Sequence, residues 1–264
     1  MIHLTREVRF NLLPGHSQRP VTNSWGGWPT ATALSPHLVF RCQLAGELET
    51  DSGYLCNIKL IDDALRNKVI RPCCESPPPE TAEALIQFAF QAIQGAFPDN
   101  CRIEKLTLGV TPFLEYSIHS KNETMIQITQ QFEFSASHRL HNPALSVEEN
   151  LRVFGKCNNP HGHGHNYLLK VTLEGTPDEQ KPVVSLEGFE SLVRSQVIDE
   201  LDHKNLNVEV AAFQSLNPSV ENIAMVIWRM LEPALVDLDD GQLRLACVRV
   251  YETPKTWADY FGDR

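Results

Sequence analysis

In the second half of the chain, apolar residues recur at period two and then at helical spacing. Ile126, Ile128, Phe132 and Phe134 share one parity, which predicts a strand with one buried face. Ser146 followed three residues on by Glu149 forms a capping-box signature and predicts a short inserted helix. Leu186, Phe189, Val193 and Val197 lie on one helical stripe, which predicts a longer helix over about 186–198. Ser219 is placed to cap another helix, in which Ile223, Ile227, Met230 and Leu231 recur at helical spacing. Leu243 to Tyr251 reads as a closing strand. The order is therefore strand, strand, helix, helix, strand, with the short helix between the first two.

The first half repeats this plan. Phe40-Arg41-Cys42-Gln43-Leu44-Ala45-Gly46-Glu47 lies over Leu169-Lys170-Val171-Thr172-Leu173-Glu174-Gly175-Thr176. After a single-residue gap, 58–70 overlays 186–198, and Leu106 to Pro112 mirrors Val248 to Pro254. Self-similarity at half-chain period marks a duplication. Two similar domains, 1–122 and 123–264, are expected to join at the polar stretch Ser120 to Thr124.

The formal charge of −10 argues against a nucleic-acid surface, which needs clustered Lys and Arg to displace counterions. It leaves room for a local basic cluster that holds a small anion, for which Arg139, Lys156 and Lys204 are candidates. The seven cysteines follow no regular framework, which suits reduced thiols and a cytoplasmic protein. The start, Met1-Ile2-His3-Leu4-Thr5-Arg6-Glu7, carries no export pattern, and no apolar run approaches membrane-spanning length.

Potential metal ligands crowd into one region: His138, then Cys157 and the run His161-Gly162-His163-Gly164-His165. Three protein ligands, with a fourth position left to water or substrate, is the pattern of catalytic zinc. If the run is extended throughout, all three of its histidines project to one face, and only two need bind beside His138. The glycines between them would let another element approach closely.

The segment Phe132 to Gly175 closely resembles the 6-pyruvoyltetrahydropterin synthase family, whose bacterial branch makes 6-carboxytetrahydropterin for deazapurine synthesis. Three further motifs follow in family order. Leu201-Asp202-His203-Lys204-Asn205-Leu206-Asn207 is similar to the Asp-His motif, Asn217-Pro218-Ser219-Val220-Glu221-Asn222 to the turn opening the second helix, and Val250-Tyr251-Glu252-Thr253 to the pterin-anchoring strand end. The resemblance implies an α+β tunnelling fold (T-fold) in tandem, each copy an antiparallel sheet with two helices on one face.

It further implies zinc on His138, His163 and His165, catalysis by Cys157, Asp202 and His203, and a pterin held by Glu252 with help from Glu221. Zinc and Lys156 would both favour the Cys157 thiolate. The implied substrate is 7,8-dihydroneopterin triphosphate, a small pterin triphosphate, which loses triphosphate to give 6-pyruvoyltetrahydropterin. The alternative product is 6-carboxytetrahydropterin, and a non-catalytic zinc- and pterin-binding protein is a further alternative. The five residues between Cys157 and His163 favour the pyruvoyl branch.

Carried back to the first copy, His163, His165 and Glu252 fall on Leu34, Pro36 and Val110, so that copy is expected to lack the metal site, although His16 and His37 lie nearby. Trp25-Gly26-Gly27-Trp28-Pro29 occupies its loop and is expected to pack at a domain or subunit contact. A homo-oligomer is implied. A trimer of chains forming two stacked rings is favoured, and a dimer closing one four-domain ring is the alternative.

Overall fold

The computed structural model of the chain describes residues 1–13, 25–29, 33–178, 182–238 and 241–263. They fall into two compact units, Met1–Ile128 with Thr176–Pro182, and Thr129–Gly175 with Val183–Arg264. The division lies inside a strand. Ser120 and Lys121 form a tight turn, and Asn122 to Thr124 already belong to the following strand, so the polar stretch expected to link two domains is a hairpin turn.

In the first unit, strands β1 (Ile2–Asn11), β2 (His37–Gly46), β3 (Cys101–Thr111) and β4 (Leu114–His119) pair antiparallel in that order. Helix α1 (Ile58–Leu65) starts at Asn57, whose side chain accepts from the Lys59 N–H. It runs through a π-helical turn, Arg66–Ile70, into α2 (Arg71–Glu75). Helix α3 (Ala82–Ile93) is capped by Thr81. The core interleaves sheet residues Phe10, Phe40, Leu44 and Leu106 with Ile61, Leu65, Ile86 and Ile93 of the helices, all fully buried. Phe10 and Phe40 stack with ring centroids 5.0 Å apart.

The boundary strand is β5 (Asn122–His138). In the second unit, its later part neighbours β6 (His163–Gly175), which pairs antiparallel with β8 (Arg244–Thr253), and β8 pairs with β9 (Thr256–Tyr260). Helix α4 (Val147–Phe154) opens with the full Ser146/Glu149 capping box. Helix α5 (Leu186–Val193) passes through a π-helical turn, Arg194–Ile198, into α6 (Asp199–Leu201). The short strand β7 (Lys204–Asn205) pairs in parallel with β5, and α7 (Leu206–Glu209) follows it. Helix α8 (Val220–Leu231), capped by Ser219, packs on β8 and β9.

The two units share irregularities as well as elements. In the alignment read from the sequence, the π-helical turn Arg66–Ile70 lies over Arg194–Ile198. The β-bulge between Gln43 and Leu44 lies over that between Thr172 and Leu173, and the bulge at Gly109/Thr111 over that at Tyr251/Thr253. Bulges and π turns interrupt regular hydrogen bonding at single residues. Their recurrence at matching positions carries the repeat beyond shared hydrophobic pattern.

The closing segment differs from the sequence expectation. After β8 the chain reverses at Pro254-Lys255 and adds β9, whose short run Thr256-Trp257-Ala258-Asp259-Tyr260 has too few apolar residues to show a period. The Trp25–Pro29 turn is held against β1 of its own unit. The Asn11 side chain donates to the carbonyls of Gly26 and Pro29, and the Arg9 guanidinium lies 4.2 Å from the centre of the Trp25 ring. No described helix is long and apolar enough to cross a membrane.

Candidate metal centre and active site

Two neighbouring strands build the centre. On β5, Phe134, Ala136 and His138 point inward, and His138 is completely buried. On β6, His163, His165 and Tyr167 share one parity, as alternate strand residues must. Strand β8 pairs Tyr251 with Leu168, so the next residue, Glu252, falls across from Tyr167 on the same face. One ligand atom each from His138, His163, His165 and Glu252 lie within 4.8 Å of one another, the group among the described residues that is able to hold a metal ion.

The ring nitrogens are arranged for a cation. His138 Nδ1 donates to the Pro218 carbonyl at 2.6 Å, which leaves its Nε2 as a bare lone pair, the usual way a ligand imidazole is oriented from behind. That Nε2 lies 3.1 Å from His163 Nε2 and 3.5 Å from a Glu252 oxygen, and His165 Nε2 lies 3.5 Å from the same oxygen. His163 Nδ1 and His165 Nε2 are buried without a hydrogen-bond partner, an arrangement that costs free energy unless something else binds there. Burial, before any other influence, pushes His138 and His165 below the ordinary imidazole value, so both favour the neutral form a metal requires. The residues present fit a zinc ion.

His161 does not join them. Strand β6 begins at His163, and Gly162 at φ +71° breaks the extended run, so the projection of all three histidines to one face does not occur. At Gly162 a side chain would meet the His138 carbonyl oxygen at 3.0 Å, a close approach that seats the start of β6 against the end of β5. Gly164 makes no such approach. A Cβ there would stand 3.5 Å from the Ala136 oxygen, ordinary contact, so the expected need for small size holds at 162 and not at 164.

The Asp202-His203 pair is fixed to β5 from its edge. Ser135 donates its N–H to Asp202 Oδ1 at 2.7 Å, and its carbonyl accepts from the His203 N–H at 2.6 Å. His203, at φ +57°, donates Nδ1–H to Asp202 Oδ2 at 2.7 Å. The Ser135 N–H first, and His203 second, hold the Asp202 carboxyl below its usual range. His203 and His165 line one open groove of about 540 Å³, together with Ser135, Ser137, Asn166 and Lys204.

Cys157 sits in a 3₁₀ turn, Gly155–Asn158, and its carbonyl accepts from the Leu140 N–H at 2.8 Å. Burial first, and the Glu252 charge second, push its thiol up, while Lys156 is exposed. The chain's own groups therefore favour the thiol, opposite to the direction expected from Lys156.

A model of the 6-pyruvoyl tetrahydropterin synthase family matches residues 127–263, about half of the chain. The chain belongs to that family. The human 6-pyruvoyl tetrahydrobiopterin synthase is 41% identical over 138 residues, which cover 52% of this chain and 92% of that protein. A 6-carboxy-5,6,7,8-tetrahydropterin synthase from Haemophilus influenzae is 26% identical over 157 residues, covering 52% of this chain and 99% of its own length. The solved structure of the Caenorhabditis elegans 6-pyruvoyl tetrahydropterin synthase overlaps 53% of this chain and 96% of its own, at 36% identity and a TM-score of 0.49. As a member of this family the chain is an enzyme of the lyase class.

Of the remaining site residues, Glu221 is exposed in the first turn of α8, outside both the cluster and the groove. Glu252, expected to anchor a pterin, stands among the three clustered imidazoles. Tyr167 was missed by the sequence reading. It is fully buried, its hydroxyl has no hydrogen-bond partner, and its ring lies 5.4 Å from that of His165. The signal was its parity with His163 and His165. In the first unit, Leu34 is exposed, His37 bonds Asn11 through Nδ1 at 2.9 Å, and His16 lies outside the described residues.

Proposed function

We propose that the chain is a zinc-dependent pterin synthase that converts 7,8-dihydroneopterin triphosphate to 6-pyruvoyltetrahydropterin and triphosphate. The observation that carries this is the convergence of His138, His163 and His165, with two buried nitrogens unpartnered, beside a groove lined by His203, whose Nδ1 is bonded to Asp202. When bound, zinc supplies Lewis-acid polarisation of substrate oxygens and a positive charge that favours the Cys157 thiolate.

The protein groups have separate tasks. Cys157 takes the proton from the side-chain carbon next to the ring, and the electron pair released reduces the ring C=N while that carbon's hydroxyl becomes a ketone. Loss of a second proton from the middle carbon expels triphosphate from the terminal carbon, and the enol left ketonises to the pyruvoyl group. Asp202 stays ionised and fixes His203 with Nδ1 protonated, so that His203 Nε2 faces the groove as the second proton-transfer atom. Glu252 accepts from the amino and ring N–H edge of the pterin. The reaction is internally balanced, and no redox cofactor enters it. The 6-carboxytetrahydropterin product is the second reading, supported by the Haemophilus relative. The greater identity to pyruvoyl-forming relatives favours the first.

Residues 1–122 serve as a degenerate copy and residues 123–264 as the catalytic domain. Three chains joined into stacked rings keep equivalent copies together, with the two-chain ring as the alternative. All seven cysteines are free, which supports a reducing, cytoplasmic setting. Mass spectrometry of the product from 7,8-dihydroneopterin triphosphate tests the reading. The 6-pyruvoyl product with released triphosphate supports it, and unchanged substrate with zinc-loaded protein refutes it.

A further inference from the structure

The pterin synthase reading leaves the triphosphate without a seat, and it leaves His161 without a role. Both are met by a cavity of about 430 Å³, within the ~300–1,000 Å³ range of small-ligand sites, lined by Arg139, His141, His161, Asn207, Ser215 and Asn217 among others. No Asp or Glu lines it, although the chain carries 33 acidic residues against 23 basic ones. In a protein of that charge, a cavity walled by an arginine, two imidazoles and several amides selects for anions.

Its walls adjoin the catalytic groups one residue at a time. Arg139 follows His138, Gly162 precedes His163, and Asn217 precedes the Pro218 that holds His138. The Arg139 guanidinium is held from one side. Nε donates to the Asn158 carbonyl at 3.3 Å and Nη2 to the Asn158 side-chain oxygen at 3.2 Å, and Nη2 also lies 3.3 Å from His141 Nδ1. Nη1 makes no hydrogen bond among the described residues, and neither do His141 Nε2 and the His161 ring. The His141 backbone N–H is fixed by the Asn217 side chain at 3.0 Å, and Asn207 bonds both backbone groups of Arg139. The segment is therefore rigid, with its outer donors free. A guanidinium in this state matches two phosphate oxygens at once, and the His161 ring, with neither nitrogen engaged, adds an N–H donor; His141 adds one through Nε2 in the tautomer whose Nδ1 accepts from the Arg139 guanidinium.

We propose that this cavity binds the triphosphate group of the substrate and retains it as the leaving group, with Arg139 and His161 as its anion-binding side chains. The inference rests on the pterin synthase reading and deepens it. Lys156 and Lys204, the other basic candidates, do not line this cavity, and Lys204 lines the groove beside His203.

The test titrates the zinc-loaded full chain with two probes, inorganic triphosphate and unphosphorylated 7,8-dihydroneopterin, with zinc content measured in the same samples. Arg139→Gln should weaken triphosphate binding about ten- to a hundredfold, the effect of one charge-assisted contact, while leaving the dihydroneopterin affinity within about twofold. His161→Gln, at an exposed position, should weaken triphosphate in the same direction with zinc retained, and it serves if Arg139→Gln fails to fold. Dihydroneopterin binding with triphosphate affinity unchanged in both variants overturns the subsite and leaves the pterin reading standing. Failure of the wild-type chain to bind either probe overturns both.

Discussion

Replacing Gly162 by alanine asks whether the close approach of β6 to β5 sets the metal centre. Two costs add at this position. A φ of +71° strains an L-residue by about 1–2 kcal/mol, and the new Cβ would stand 3.0 Å from the His138 carbonyl oxygen, tighter than normal contact. That oxygen belongs to backbone at the end of a buried strand, so it must give by moving β5 or β6, an overpacking cost of about 1–3 kcal/mol. Together they predict a melting temperature lower by roughly 5–15 °C. The displacement falls on His163, the next residue, whose Nε2 lies 3.1 Å from that of His138. Zinc affinity should drop about ten- to a hundredfold, as when groups orienting a ligand are disturbed. Gly155→Ala and Gly164→Ala are the controls. Gly155 has φ +53° and open space around it, so it carries strain without collision and should lower stability while sparing zinc affinity. Gly164 carries neither, and alanine there should be neutral or gain about 0.5 kcal/mol from reduced chain entropy. Thermal melts and competition with a chromophoric chelator read both quantities. Wild-type zinc affinity and stability in Gly162→Ala would refute the reasoning.

Cys157→Ala should keep its zinc and its dihydroneopterin affinity yet lose about two to four orders of magnitude in turnover, and an unimpaired rate removes the thiol from the reaction. Tyr167→Phe removes a buried hydroxyl without a partner, so the metal-free protein should be unchanged or stabilised by up to about 1–3 kcal/mol, and a clear loss of stability in a thermal melt contradicts the geometry. The metal-free protein should also be acid-sensitive. Burial depresses His138 and His165 in the folded state, so below about pH 6.5 the unfolded chain binds more protons, and each histidine removes up to about 1.4 kcal/mol per pH unit until its own folded value is reached. Equal urea midpoints for chelated protein at about pH 7.5 and 5.5 would contradict this.

The elements themselves were legible because burial follows period. The even positions from Ile126 to His138 point inward, and the Ser146 and Ser219 caps stand where the residue types place them. The shared face of His163 and His165 was legible for the same reason, since alternate residues on a strand share a face. What escaped was set by single backbone torsions and by cross-strand register. The positive φ at Gly162 sends His161 to the cavity beside Arg139 and away from the cluster that includes His163, and side-chain spacing carries no trace of it. Glu252 enters the metal cluster because β8 pairs Tyr251 with Leu168, a register fixed by strands about eighty residues apart in sequence. The direction of the Cys157 shift is set first by burial and second by that same carboxylate, and neither could be read from Lys156 beside it. The π turn at Arg194–Ile198 preserves the apolar stripe through Val197, which made the segment look like plain α-helix.

Metal analysis of the purified chain and two variants tests the central claim most directly: one competent centre per chain, built from His138, His163 and His165. Wild-type protein should hold one equivalent of zinc, His163→Ala almost none, and His161→Ala the wild-type amount. Two tightly held equivalents per wild-type chain, or full retention in His163→Ala, would contradict the account.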